Sequence, residues 1–263
     1  MTVLLYSIII FIACTVGATV GIGGGIIIKP ALDLIGVHGV EAVGFISSCA
    51  VLAMSISSSA KHIASKTEFD KKIALLVSAG SILGGISGNA VFDLAFNRLN
   101  PGTVKGIQAV IIILFIIFVL IYVNSKHKKS FRLKNPALIL LTGIMLGMFS
   151  AFLGIGGGPV NTAFLAILFS FTVKESSVYS IAIIFFSQLS QLVTMFISNR
   201  FEPFRSCFGV AAAAMAVAVA GGLIGSKLNK KLSDKEITKI FSVVLIFVSF
   251  INVYNAAAGF GAI

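Results

Sequence analysis

The residues in this chain whose spacing could do chemistry are glycines. Gly-Ile-Gly-Gly-Gly occurs at residues 21–25 and again at 154–158, each time inside a long apolar run. Consecutive glycines take up left-handed and other unusual dihedrals at low steric cost. Successive backbone N–H groups can then turn toward one point and hold an anion. A half-helix that starts just after each motif adds its positive dipole end and its unbonded N–H groups. Pro159 suits such a start, because proline is favoured at the first helical position. The candidate anion contacts are Gly23, Gly24 and Gly25 in the first motif and Gly156, Gly157 and Gly158 in the second. The competing explanation is close helix packing through small residues, which fits the Ala/Gly runs at 84–88 and 211–225.

Several polar side chains sit near these breaks. Lys29 lies four residues beyond the first motif, where a charge at membrane depth is expensive. It could neutralise a bound anion, pair with Asp33 at i, i+4, or snorkel to the interface. Asn161 follows the second motif and could donate its amide to an oxyanion, or bond between helices. The run 187–194, Ser-Gln-Leu-Ser-Gln-Leu-Val-Thr, sets Ser187, Ser190, Gln191 and Thr194 on one helical face, with Gln188 one step round. Such a stripe faces protein or a cavity rather than lipid, so Ser187, Gln188 and Gln191 are candidate lining residues. In the first half the matching polar patch is Ser-Ile-Ser-Ser-Ser at 55–59, with Ser47 and Ser48 earlier on that segment; Ser47 joins the candidate substrate contacts.

Other chemistries find little support. Glu41, Asp93, Glu175 and Glu202 fall near the ends of apolar segments, which suits solvated or capping roles. His38, His62 and His127 show no metal-ligand spacing, so neither a metal nor a cofactor is expected. Cys14, Cys49 and Cys207 lie in apolar surroundings without paired spacing and read as buried thiols. A membrane-embedded enzyme would need a nucleophile, an acid/base pair or a metal cluster at depth, and no convincing set is present. There is no Gly-x-x-x-x-Gly-Lys-Ser/Thr loop for a nucleotide phosphate.

The elements that must hold these residues are membrane helices. Of 263 residues, 57% are hydrophobic and 11% charged, where soluble domains carry about 25% charge. The mean hydropathy is +1.06. Apolar segments run at about 2–20, 26–37, 40–60, 73–96, 104–123, 136–153, 159–171, 176–198, 204–225 and 237–258, which defines an all-α polytopic membrane protein. The net charge of +11 does not signal nucleic acid, since the basic residues lie in short loops where orientation signals belong. No Lys or Arg precedes the first apolar run, so it lacks the basic region of a signal peptide and is expected to stay in the mature protein.

An offset of 133 residues aligns the two glycine motifs, Ser47 with Ser180, and residues 98–107 with 231–240; between them the offset drifts to 137, where 84–88 matches 221–225. The chain thus divides into a first repeat, 1–125, a basic linker, 126–134, and a second repeat, 135–263. If each glycine segment crossed the membrane once, the Lys and Arg residues would split 11 to 8 between the two sides, Lys29 aside. If each made a hairpin or broken helix returning to its starting side, followed by three spanning helices, they would split 15 to 4. The positive-inside rule prefers the second arrangement. It predicts two inverted-topology repeats, a cytoplasmic linker and both termini outside the inner (plasma) membrane. In such folds broken helices meet near the bilayer midplane and bind substrate there.

The duplicated motif, in a chain of about 260 residues built as two apolar halves, resembles the sulfite exporter TauE/SafE family, also called TSUP. The resemblance implies transport of small sulfur-containing or organic anions such as sulfite, thiosulfate, sulfoacetate and related sulfonates. Members often carry proline soon after each motif. Here Pro159 follows the second immediately, whereas in the first Lys29 and Pro30 stand further on, so the two halves of a site are not expected to be chemically equivalent. A secondary transporter would draw on a small anion, the lipid bilayer and a coupling ion, proton or sodium. A channel for anions or small solutes is the alternative; the sequence does not speak to oligomeric state.

Overall fold

The computed structural model describes residues 2–64, 70–125, 131–197 and 202–261. Among them all regular structure is helical: α1 Thr2–Val20, α2 Gly25–Ile35, α3 Val40–Ala64, α4 Lys71–Arg98, α5 Pro101–Asn124, α6 Pro136–Leu153, α7 Gly158–Phe169, α8 Val173–Ile197, α9 Phe208–Lys231 and α10 Asp234–Gly259, with a 3-10 turn at Glu202–Cys207 before α9. Eight are long and apolar enough to cross a membrane; α2 and α7 are not among them. Each apolar segment of the sequence is one helix. Their starts are marked by side chains that accept otherwise unbonded first-turn N–H groups: Asp70 for α4, Asn100 for α5, Asn135 for α6, and a Ser233–Glu236 capping box for α10.

The chain reverses at both glycine motifs. After α1 it turns back so that Gly24 lies beside Cys14, and the segment following α2 returns His38 to Tyr6, whose hydroxyl it meets at 3.1 Å. After α6, α7 runs back until the N–H groups of Phe131 and Leu133, just before α6, donate to Ile167 and Leu168 carbonyls at 2.6 and 2.9 Å. Each motif is therefore the tip of a hairpin with one long and one short arm.

Close backbone approaches fix the helix directions. Gly80, Gly84 and Gly88 of α4 press on the carbonyls of Leu140, Ile144 and Met148 of α6, in ascending register. Gly221 and Gly225 of α9 press on those of Phe11 and Thr15 of α1, again ascending. Both pairs are parallel, and a side chain at any of these glycines would separate the helices. The start of α1, the start of α5 and the end of α10 share one end of the bundle: Lys105 Nζ reaches the Asp33 carbonyl at 2.8 Å and Gly102 lies against Gly259. The end of α9 and the starts of α8 and α10 share the other, where Lys174 Nζ donates to the Leu232 carbonyl at 2.7 Å; further in, Asn229 Nδ2 donates to the Thr19 carbonyl of α1 (2.7 Å) and to Ser177 Oγ (3.3 Å).

Candidate functional site

The two motifs meet in the middle of the bundle. Gly25 lies directly on the Ile155 carbonyl and Gly158 directly on the Ile22 carbonyl, equivalent contacts 133 residues apart. Neither position has space for a β-carbon. Gly21, Gly23, Gly154, Gly156 and Gly157 have φ of +74°, +68°, +64°, +75° and +65°, where side chains are strained. Val51 of α3 and Ile184 of α8 cap both motifs: a β-carbon on Gly23 would stand 2.9 Å from Ile184 Cδ1, and one on Gly156 3.1 Å from Val51 Cγ1. All ten motif residues are buried.

A cavity of about 440 Å³ leads to this junction from the end of the bundle where α3 begins and α4 ends. It is lined by Glu41, Asn89, Asp93, Asn97 and Phe204, and by the buried Lys29, Gln108, Gly154 and Gln191. Lys29 Nζ donates to Asp33 Oδ2 at 3.1 Å and to Gln108 Oε1 at 2.9 Å, and both charged groups are over nine-tenths buried. Gln108 in turn donates to the Phe152 carbonyl at 2.7 Å. The Lys29 side chain also runs past Gly154, whose β-carbon would sit 3.2 Å from Cε. Pairing with Asp33 and facing the cavity thus occur together.

The other sequence candidates divide into two groups. Ser47 Oγ donates to the Gly154 carbonyl at 3.3 Å, tying α3 to the second motif. Gln191 accepts from Ser48 Oγ at 3.1 Å and donates to the Ala151 carbonyl at 3.4 Å, at the deep end of the cavity. One turn further in, Ser187 Oγ stands 3.0 Å from Ser150 Oγ, to which Gln188 Nε2 donates at 3.4 Å. Asn161 Oδ1 and Ser150 Cβ would each be 3.0 Å from a β-carbon on Gly157. Ser150, Asn161, Ser187 and Gln188 are fully buried; both amide atoms of Asn161 and Gln188 Oε1 lack a hydrogen-bond partner among the described residues. The remaining stripe residues serve packing: Ser190 Oγ donates across to the Ile82 carbonyl at 2.9 Å, and Thr194 Oγ1 back to the Ser190 carbonyl at 2.8 Å.

Glu175 caps α8 by accepting from the Thr172 N–H at 2.7 Å. Glu41 and Asp93, expected at span ends, do lie there but face the cavity. Cys14, Cys49 and Cys207 are buried free thiols. Among the described residues no three His, Cys, Asp or Glu side chains stand close enough to hold a metal. His127 and the Glu202 side chain lie outside the described residues. Sequence reasoning missed Ser150, Asn89 and Gln108. Gln108 carried a signal, a lone amide in an apolar run, which must find a partner when buried.

The chain matches one protein family and two curated relatives over nearly its whole length. The family model described as "Sulfite exporter TauE/SafE" matches residues 6–251. The chain is 28% identical, over 97% of its length and 98% of the relative's, to a protein described as probable membrane transporter protein YunE of Bacillus subtilis (strain 168). It is 27% identical, over 92% of its length and 91% of the relative's, to probable membrane transporter protein MJ0441 of Methanocaldococcus jannaschii. No solved structure matches.

Proposed function

The chain belongs to the sulfite exporter TauE/SafE family and is a multi-pass membrane transporter, and from that premise we propose that it is a secondary transporter of small sulfur-containing or organic anions, with sulfite, thiosulfate and sulfonates as the class to test. In this reading residues 1–125 and 135–263 are two inverted-topology repeats. The linker, 126–134, is cytoplasmic and both termini are outside. The anion enters the cavity past Asn89 and Gln191 and is bound where the glycine motifs meet. The opposed directions of α1 and α6, each parallel to a helix of the other half, support the inversion.

The observation that carries the proposal is that the cavity of about 440 Å³ reaches Gly154, the first glycine of the second motif. Gly154 is left-handed, and α7 starts four residues further on at Gly158; helix starts of this kind hold anions in broken-helix transporters. Lys29 lies at the same depth, its charge balanced by Asp33.

The test is flux through purified full-length protein in proteoliposomes, using radiolabelled sulfite, thiosulfate and sulfoacetate under imposed proton or sodium gradients. The reading expects saturable uptake that speeds up when the lumen is preloaded with unlabelled anion. Non-saturating flux without counterflow would mark a channel, and no flux of any of the three anions would overturn the substrate class.

A further inference from the structure

The two motifs share one sequence and one fold, yet their surroundings differ, and the difference runs through four equivalent positions. At an offset of 133 residues, Gly17 corresponds to Ser150, Ile28 to Asn161, Met54 to Ser187 and Ser55 to Gln188. In the first half, α1 closes directly on the motif: a β-carbon on Gly17 would lie 2.6 Å from Gly24 N. Gly24 itself faces Cys14 Sγ (2.9 Å from its would-be β-carbon) and Ile28 Cδ1 (3.1 Å), and its φ is −70°. That surface is apolar and closed. In the second half Ser150 stands in place of Gly17, its Cβ and Cα 3.0 and 3.2 Å from a would-be β-carbon on Gly157. Gly157 there flips to φ +65°, so Gly156 and Gly157 are two left-handed residues in succession, followed by the start of α7.

Ser150, Asn161, Ser187 and Gln188 surround this second motif and are fully buried. Among the described residues one amide donor, Asn161 Nδ2, and two acceptors, Asn161 Oδ1 and Gln188 Oε1, have no partner. Buried amides in native proteins are nearly always hydrogen-bonded, and an orphaned one calls for an explanation. The four side chains carry no charge, and the nearby Lys29 is neutralised by Asp33.

We propose that the anion is held at the second motif alone, in a seat of neutral donors formed by Ser150, Asn161, Ser187, Gln188 and the start of α7, and that this seat selects singly charged oxyanions over doubly charged ones. This rests on the transporter reading above and narrows it: hydrogensulfite and monosulfonates suit the seat, whereas thiosulfate and sulfoacetate, both doubly charged at neutral pH, do not. Neutral hydroxyls, amides and helix N–H groups satisfy an oxyanion's lone pairs without a countercharge. The penalty for removing an ion from water grows steeply with its charge, and no cation in the seat offsets it for a dianion. The amide carbonyls left without partners can also accept from an acidic O–H on the ligand, as in hydrogensulfite. The first motif keeps the apolar, close-packed role.

The experiment is equilibrium binding to purified full-length protein in detergent, with methanesulfonate, sulfite and sulfate as probes, on the wild type and on Asn161→Leu, Ser150→Gly and Met54→Leu. At pH 6, where sulfite is mostly hydrogensulfite, methanesulfonate and sulfite should bind the wild type at least tenfold more tightly than sulfate. Asn161→Leu and Ser150→Gly should each weaken methanesulfonate binding at least tenfold. Without ligand, Asn161→Leu should melt no lower than the wild type, because it removes an orphaned amide. Met54→Leu, the first-half control, should bind within twofold of wild type. Wild-type affinity in both second-half variants would overturn the seat while leaving the transporter reading standing. Sulfate binding as tightly as methanesulfonate would overturn the charge selection. A wild type that binds none of the three probes would sink the substrate class itself. Ser150→Gly introduces only what the first half already carries, so it reads out the seat even if Asn161→Leu fails to fold.

Discussion

Lys29→Met should destabilise the protein far more than the double variant Lys29→Met/Asp33→Leu. Lys29 Nζ makes one bond of 3.1 Å to Asp33 Oδ2 and one of 2.9 Å to Gln108 Oε1, and the lysine and aspartate are 3% and 8% exposed. Removing the ammonium leaves a carboxylate nearly out of water, and breaking a buried pair from one side costs about 3–5 kcal/mol. Lys105, whose Nζ reaches the Asp33 backbone carbonyl at 2.8 Å, offsets part of this, so the lower end, about 3 kcal/mol, is expected. Replacing both partners with apolar groups removes the uncompensated charge. Gln108 then loses one contact, but it lines the cavity and keeps its bond to Phe152. The double variant should fall within about 1 kcal/mol of wild type, giving a coupling of about 2 kcal/mol or more. The assay is thermal unfolding in detergent without added anion, where the single variant should lose roughly 6–12 °C on the scaling for domains of 150–250 residues. Because the pair is neutral overall, the double variant should keep sulfite affinity within about threefold. Additive single-variant effects would refute the coupling. A tenfold loss of sulfite affinity in the double variant would show that the Lys29 charge acts on the anion directly.

Two further outcomes test the frame around the site. Gly158→Ala should abolish folded yield, because its β-carbon would enter the Ile22 carbonyl; Gly36→Ala, left-handed at φ +72° but in open space, should cost only about 1–2 kcal/mol, read by detergent-solubilised yield and melting temperature. In a background lacking Cys14, Cys49 and Cys207, single cysteines at Val37 and Gly261 should react with an impermeant thiol reagent from outside, and those at Lys72 and Lys235 only from inside; Val37 and Gly261 on opposite faces would refute the inverted arrangement.

The helices were legible because each is an apolar run bounded by polar caps such as Asn100–Pro101 and Asn135–Pro136. The hairpin tips were legible because five identical residues interrupt the runs twice. The Lys29–Asp33 pair was one of the readings that i, i+4 spacing on one helix offered, beside anion contact and snorkelling, and the pair is present at 3.1 Å. What local spacing does not carry is partnership across the bundle. Gln108 lies 79 residues from Lys29, and Asn89, Asp93 and Glu41 share a cavity only because α3 and α4 bring opposite ends together. Ser150 was hidden for another reason: a small hydroxyl in an apolar helix commonly bonds its own backbone. It becomes conspicuous only when aligned with Gly17, where the other half tolerates no side chain at all.

Binding and packing were rival explanations of the duplicated motif, and the geometry divides them by position rather than choosing one. Gly25 and Gly158 are glycines because another backbone occupies the place of a β-carbon. Gly21, Gly23, Gly154 and Gly156 are glycines because the hairpin tips need positive φ. These requirements are met in both halves and would hold in a protein that bound nothing. Gly24 and Gly157 differ: the first is right-handed at φ −70° and the second left-handed at φ +65°, so the turn alone does not dictate their conformation. What separates them is the neighbour across the motif, Gly17 in one half and Ser150 in the other. A duplicated scaffold with matching tips can therefore become chemically one-sided through a few side chains around one tip. Ser150, Asn161, Ser187 and Gln188 are such side chains, standing where the first half has Gly17, Ile28, Met54 and Ser55.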